Sequence, residues 1–149
     1  MDNFEINQLI KNLSWDLPED TQLNAIQKLL EIEPENCNLL LNPMLKATWE
    51  NATLVIEKIG YPRNKAAIPS LLELFQDLNW PGVEKAFTIL SQVDKCDLIP
   101  LIEDAIMKAY VEKDYIWLAG IKEFLRSSGI NENHFYKKDI YKLLLYADF

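Results

Sequence analysis

The chain is poor in the residues on which most site chemistry depends: one histidine, two cysteines and four glycines in 149 residues. A lone histidine leaves no partner for a zinc site or a nucleophile–histidine–acid triad. Cys37 and Cys96 are too few for a disulfide framework or a thiolate metal cluster. Four scattered glycines cannot build a phosphate-cradling loop, and no dinucleotide, Walker or nucleophile-elbow pattern occurs. Basic residues are also scarce, 15 against 23 acids for a net charge of −8, which argues against a binder of the nucleic-acid backbone. Apolar runs, such as Leu39 to Leu41, are short and far below a membrane span. The first fifteen residues lack the basic and apolar regions of a secretory signal, so the expectation is a cytoplasmic chain with no membrane and no nucleic-acid partner. No cofactor and no metal are expected.

What the chain does contain is helical periodicity. Ile68, Leu71, Leu72 and Phe75 share one helical face, as do Val83, Ala86, Phe87, Leu90 and Val93. The same spacing links Ile6, Leu9, Ile10 and Leu13; Leu23, Ile26, Leu29 and Leu30; and Ala52, Val55, Ile56 and Ile59. It returns in Ile102 to Tyr110, in Trp117 to Leu125 and in Ile140 to Ala147. No segment alternates apolar and polar residues over a strand's length, so the fold is predicted to be all-α. Gly60 and Gly129 each follow a periodic run, where a left-handed C-cap is expected. Pro69 and Pro100 each stand one residue inside an apolar run, which places them at a helix start or in a first helical turn. Linkers are short and no composition break divides the chain, so residues 1–149 read as one domain.

The four tryptophans, Trp15, Trp49, Trp80 and Trp117, are separated by 34, 31 and 37 residues. Each precedes, or opens, the second helix of a predicted helix pair. Ile68-Pro69-x-Leu71 recurs as Ile99-Pro100-Leu101-Ile102, and Asp-x-x-Trp occurs at Asp77–Trp80 and Asp114–Trp117. Seven residues after the last three tryptophans stand Ile56, Phe87 and Phe124, all of core type. A two-helix period in the thirties marks an α-solenoid. The expected architecture is a HEAT-like α-α superhelix of about four helix pairs, with a C-terminal capping helix from about Asn133 to Ala147.

The segment Ile68-Pro69-Ser70-Leu71-Leu72-Glu73-Leu74-Phe75-Gln76-Asp77-Leu78-Asn79-Trp80-Pro81 resembles the hallmark of a bacterial HEAT-like family of unknown function, roughly Pro-x-Leu-Leu-x-x-x-Gln-Asp-x-Asn-Trp-Pro. Lys113-Asp114-Tyr115-Ile116-Trp117 is similar to that family's next landmark, although Leu118 and Ala119 stand where the family carries a basic and an aromatic residue. Leu17 to Gln22 and Trp49 to Ala52 are similar to the N-terminal part of longer relatives. The resemblance implies an all-helical superhelix, no established activity, and an association with toxin–immunity genes.

The Gln76-Asp77-x-Asn79-Trp80-Pro81 turn is the most information-dense stretch. In a structural reading Asn79 or Trp80 caps the following helix, Pro81 lies in its first turn, and Trp80 fills the gap between helix pairs. In a contact reading the polar groups of Gln76, Asp77 and Asn79 meet a partner. Asp114 reads as an N-cap ahead of Trp117. Trp49 and Glu50 read as core and solvated face, or as a hot spot and its rim. His134 reads as a surface or capping residue. Cys37 and Cys96 read as buried or half-buried small apolar groups. Glu19-Asp20 and Glu103-Asp104 each sit near a predicted helix start, and adjacent carboxylates on a helix diverge by about 100°.

Acidity is uneven: residues 1–60 carry −6, residues 61–132 carry −3 and the last seventeen +1. The function this supports is a non-catalytic protein–protein interaction module. Its partner would be a basic protein, bound in an acidic groove through Trp49, Glu50, Gln76, Asp77, Asn79, Trp80, Asp114 and Trp117. The role would be immunity-type and the module a monomer or weak homodimer. The alternative is a small enzyme using groove carboxylates and aromatics, as HEAT-like base-excision enzymes do. That scaffold, however, needs a basic surface.

Overall fold

In a computed structural model, residues 1–147 are described, and helices make up nearly all of the ordered elements; no strand occurs among the described residues. Helix α1 (Asn3–Lys11) starts where Asp2 accepts the backbone N–H of Glu5 at 2.8 Å, and α2 (Glu19–Leu29) starts behind Pro18 with Glu19 and Asp20 in its first turn. Acid at a helix N-terminus is stabilised by the dipole, and a proline there loses no useful donor. A 3-10 segment, Pro34–Leu39, is followed by α3 (Trp49–Ile59). Then come α4 (Ile68–Glu73), prolonged by a 3-10 turn to Gln76, and α5 (Val83–Ser91). Helices α6 (Lys95–Val111) and α7 (Tyr115–Ser128) form the fourth pair, and α8 (Lys138–Tyr141) with the 3-10 turn Lys142–Tyr146 covers it.

The pairs stack in chain order. The second helices pack α2 on α3, α3 on α5 and α5 on α7, while the first elements pack the 34–39 segment on the 65–73 region and α4 on α6. Two layers of sequential helices make an all-α helical repeat fold. Its core is one apolar cluster running from Ile6 to Leu144. Phe75, Phe87 and Phe124 meet at its centre with ring centroids 4.9–5.4 Å apart, within the range of favourable aromatic packing. Both glycines cap their helices, but only Gly129 is left-handed helical, at φ 73° and ψ 20°; Gly60 leaves α3 with φ 80° and an extended ψ of 154°.

Several local expectations give way to tertiary effects. The first element of the second pair is a 3-10 segment, because Pro34 and Pro43 bracket a stretch rich in Asn36, Asn38 and Asn42, whose side chains compete with helical backbone bonds. Helix α6 begins at Lys95 and runs through Pro100. The carbonyl left without a donor belongs to Cys96, which lies with Pro100 on the exposed side of the helix, where water can serve it. That longer helix places Glu103 in its middle, 3 % exposed, and not near its start. Glu103 Oε2 accepts the backbone N–H groups of Tyr136 and Lys137 at 3.0 and 2.7 Å. Those donors are thereby withdrawn from any helix, with Phe135 extended just before them, so the capping helix expected over 133–147 is confined to short turns beginning at Lys138. Leu23 is exposed, as is Cys96, whereas Cys37 is fully buried and its burial pushes the thiol pKa up.

Candidate functional site

The residues singled out in the sequence fall at two successive seams between helix pairs. At the first, Trp49 opens α3 and is buried, with its Nε1–H donating to the Asn42 carbonyl at 2.8 Å. Half-buried Trp80 meets it edge to face at 5.3 Å, and the Lys46 ammonium lies 5.8 Å from the Trp80 ring. Gln76 joins them around a cavity of about 210 Å³ with Leu41, Pro43 and Ser70. At the second seam, Trp117 is 2 % exposed and donates its Nε1–H to the Leu72 carbonyl of the preceding pair at 2.9 Å. Asp114 caps α7 by accepting the Trp117 backbone N–H at 3.0 Å, as its position predicts. A cavity of about 180 Å³ opens there beside Leu72, Leu101 and Trp117.

The 76–81 turn is built differently from its predicted form. Neither Asn79 nor Trp80 caps α5. The N-cap is Gly82 at φ 89°, where a β-carbon would lie 2.8 Å from Thr53 Cγ2 and 3.2 Å from the Trp49 carbonyl. Pro81 therefore precedes the helix. Asp77 accepts the Asn79 backbone N–H at 2.8 Å and so closes the turn on itself. Glu50 is ion-paired to Lys85 at 2.9 Å, and Glu73, on the wall between the seams, to Lys108 at 3.3 Å. Each of these two pairs joins residues 35 apart, about one repeat, and links consecutive helix pairs. Trp49 and Trp117 thus have their polar edges committed to backbone carbonyls, and the Glu50 and Glu73 carboxylates are matched by lysines. These groups hold the stack together.

Other reactive side chains are similarly engaged. His134 Nδ1 accepts the Asn131 backbone N–H at 3.0 Å within a capping box. The Tyr61 hydroxyl donates to the Asp97 carboxylate, which also pairs with Lys65 at 3.2 Å. The Tyr61 hydrogen bond, then Lys65, holds the Asp97 carboxyl below its usual range, and the same bond pushes Tyr61 up to about 12. Among the described residues, no three His, Cys, Asp or Glu side chains gather closely enough to hold a metal ion, and no helix is long and apolar enough to cross a membrane.

One surface lies outside the predicted set. The first helix pair and the turn after it contain Asp2, Glu5, Asp16, Glu19, Asp20, Glu31, Glu33 and Glu35, all exposed, against only Lys11 and Lys28. None of the eight carboxylates forms an ion pair among the described residues, in contrast to Glu50, Glu73, Asp97 and Glu123 further along. The same pair exposes Phe4 by 79 %, with Leu23 and Trp15 also more than half exposed. A groove of about 550 Å³ between α1 and the end of α2 is lined by Met1, Phe4, Gln8, Leu9, Lys28 and Glu31, among others. The charge asymmetry of the sequence foreshadows this surface. Phe4 does not, because it lies off the Ile6–Leu13 stripe and carries no periodic signal.

Against family models, curated proteins and solved structures, the chain has no match.

Proposed function

We propose that the protein is a non-catalytic interaction module that binds a basic protein partner through its acidic first helix pair. The observation that supports this reading is the combination of eight exposed carboxylates, none ion-paired among the described residues, with exposed Phe4, Trp15 and Leu23. Each exposed charge pair is worth only about 1 kcal/mol at 4 Å in water, so charge chiefly steers the encounter and selects its sign. Apolar burial of the aromatic and leucine side chains supplies the affinity. The tryptophan seams contribute rigidity, and the indole N–H groups of Trp49 and Trp117 are not offered to a ligand. An immunity-type role fits the same chemistry, with a basic toxin domain as the partner.

The test is affinity purification from a lysate of the source organism, with wild type, an Asp16→Lys/Glu31→Lys/Glu33→Lys variant and Asp77→Ala as baits. None of these three carboxylates lies in a helical first turn or caps a helix with its side chain, so reversing them removes no helix cap. The expected result is a partner that wild type and Asp77→Ala retain at low salt and that the triple variant loses. Retention of that partner by the triple variant at unchanged affinity, or loss of it with Asp77→Ala alone, would overturn the assignment of the surface.

A further inference from the structure

We propose that the acidic first pair also receives the opposite end of a second copy of this chain, so that molecules associate head to tail. This rests on the reading above for where contact is made, and names what makes it. Exposed large apolar side chains are not scattered over the molecule. Six lie within residues 1–44, foremost Phe4, Leu23 and Met44; the other six lie within residues 107–146, foremost Val111, Ile116 and Leu145. Met44 lies in the second pair, next to the first; the intervening residues 45–106, which hold α3, α4, α5 and the first part of α6, have none. A repeat stack buries the faces between neighbouring pairs and leaves its two end faces without a neighbour, and natural stacks make those faces polar. Here both ends keep apolar groups in water.

The ends also differ in sign. Side chains of residues 1–35 sum to −6, and those of residues 107–147 sum to +2. On the basic end, Lys137 and Lys142 are exposed beside Tyr136, Leu145 and Tyr146, and Leu145 is 84 % exposed. The ring of Tyr146 is held against Tyr110 and Tyr115 with centroids 5.3 and 6.0 Å away, so this end presents a fixed surface. Two first pairs facing each other would oppose −6 to −6, and two last pairs would oppose like positive charge. Only the heterologous pairing brings opposite charges together while covering both apolar faces. Such an interface repeats from copy to copy, so the mass grows with concentration unless the rotation closes a ring.

The experiment is sedimentation velocity on the full chain over a concentration series to about 1 mM, the weak end of measurable association, at low and high salt. A head variant carries Phe4→Ser, Glu31→Lys and Glu33→Lys; a tail variant carries Lys137→Glu, Lys142→Glu and Leu145→Ser. All six positions are exposed, and circular dichroism confirms that each variant folds. The expected result is a wild-type mass that rises with concentration and falls with salt, with each variant alone monomeric. An equimolar mixture, in which the tail of the head variant meets the head of the tail variant, gives a dimer and nothing larger. A monomeric wild type at all concentrations would overturn the proposal. So would a mixture that stays monomeric while wild type associates, or a variant that still self-associates, since each points to a different interface. If wild type is monomeric while charge reversal still abolishes capture of a lysate partner, self-association falls and the binding function stands. If capture is unaffected while the mixture dimerises, the reverse holds.

Discussion

The backbone at Gly120 in α7 lies against the main chain at Phe75, so close that a β-carbon on Gly120 would sit 2.0 Å from the Phe75 carbonyl oxygen. The contact joins the fourth pair to the third at the point where Phe75, Phe87 and Phe124 assemble. Helix packing at that separation tolerates no side chain. Gly120→Ala is therefore expected to cost about 3 kcal/mol, the upper end for overpacking a filled core. Urea denaturation measures it. Because the collision is with backbone, adding Phe75→Leu should not restore stability; restoration would show that the aromatic ring, and not the main chain, sets the approach.

Trp117 and Trp80 occupy corresponding places in successive pairs but do different work. Replacing Trp117 by phenylalanine removes the indole donor to the Leu72 carbonyl, which keeps its backbone bond at the end of α4, a loss of about 1 kcal/mol for the hydrogen bond besides the lost packing. Trp80 is half-buried and edge-on to Trp49, and among the described residues its indole N–H makes no hydrogen bond. Trp80→Phe should cost clearly less than Trp117→Phe in the same denaturation series. Equal losses would mean that the hydrogen bond to Leu72 adds nothing to the seam.

Tyr61 and Asp97 tie the turn after α3 to the first turn of α6, and their titrations report the tie. The Tyr61 hydroxyl and Lys65 lower the Asp97 pKa, so the stabilisation from Asp97 is complete above the ordinary carboxylate value of about 3.9 and is lost as pH falls through the depressed one. The Tyr61 pKa is raised to about 12, so its contribution is complete below the ordinary tyrosine value of about 10 and is lost as pH rises through that higher value. Carbon-detected NMR titration should show Asp97 titrating below reference aspartate, and Tyr61→Phe should move it back up. An Asp97 midpoint unchanged by Tyr61→Phe would remove the hydroxyl as the cause.

Much of the architecture was legible in the residues. Asp114 three residues before Trp117 signals the cap that the structure contains, and Gly60 and Gly129 end their helices as their positions predict. Trp49 and Trp117 mark the two seams, where a large, shape-filling group meets the neighbouring pair, whereas Trp15, at the same spacing, is exposed. Pro100 misleads because its helix extends five residues upstream and leaves the carbonyl of exposed Cys96 where water can serve it, which no proline rule detects. The C-terminal helix misleads because the group that breaks it, Glu103, is 33 residues from Tyr136 and 34 from Lys137 in the chain. Leu23 fits a helical stripe and is nonetheless exposed, since the first pair has a neighbour on one side only.

Local order and net charge were thus set by the sequence itself: helical period, repeat length and an acidic first pair follow from neighbours along the chain. Tertiary structure decided which of those charges are spent. Glu50 meets Lys85 and Glu73 meets Lys108 across 35 residues, whereas the eight carboxylates of the first pair and its following turn meet no cation among the described residues. Ion pairing falls off within a few ångströms, and stacking alone brings side chains one repeat apart to that distance.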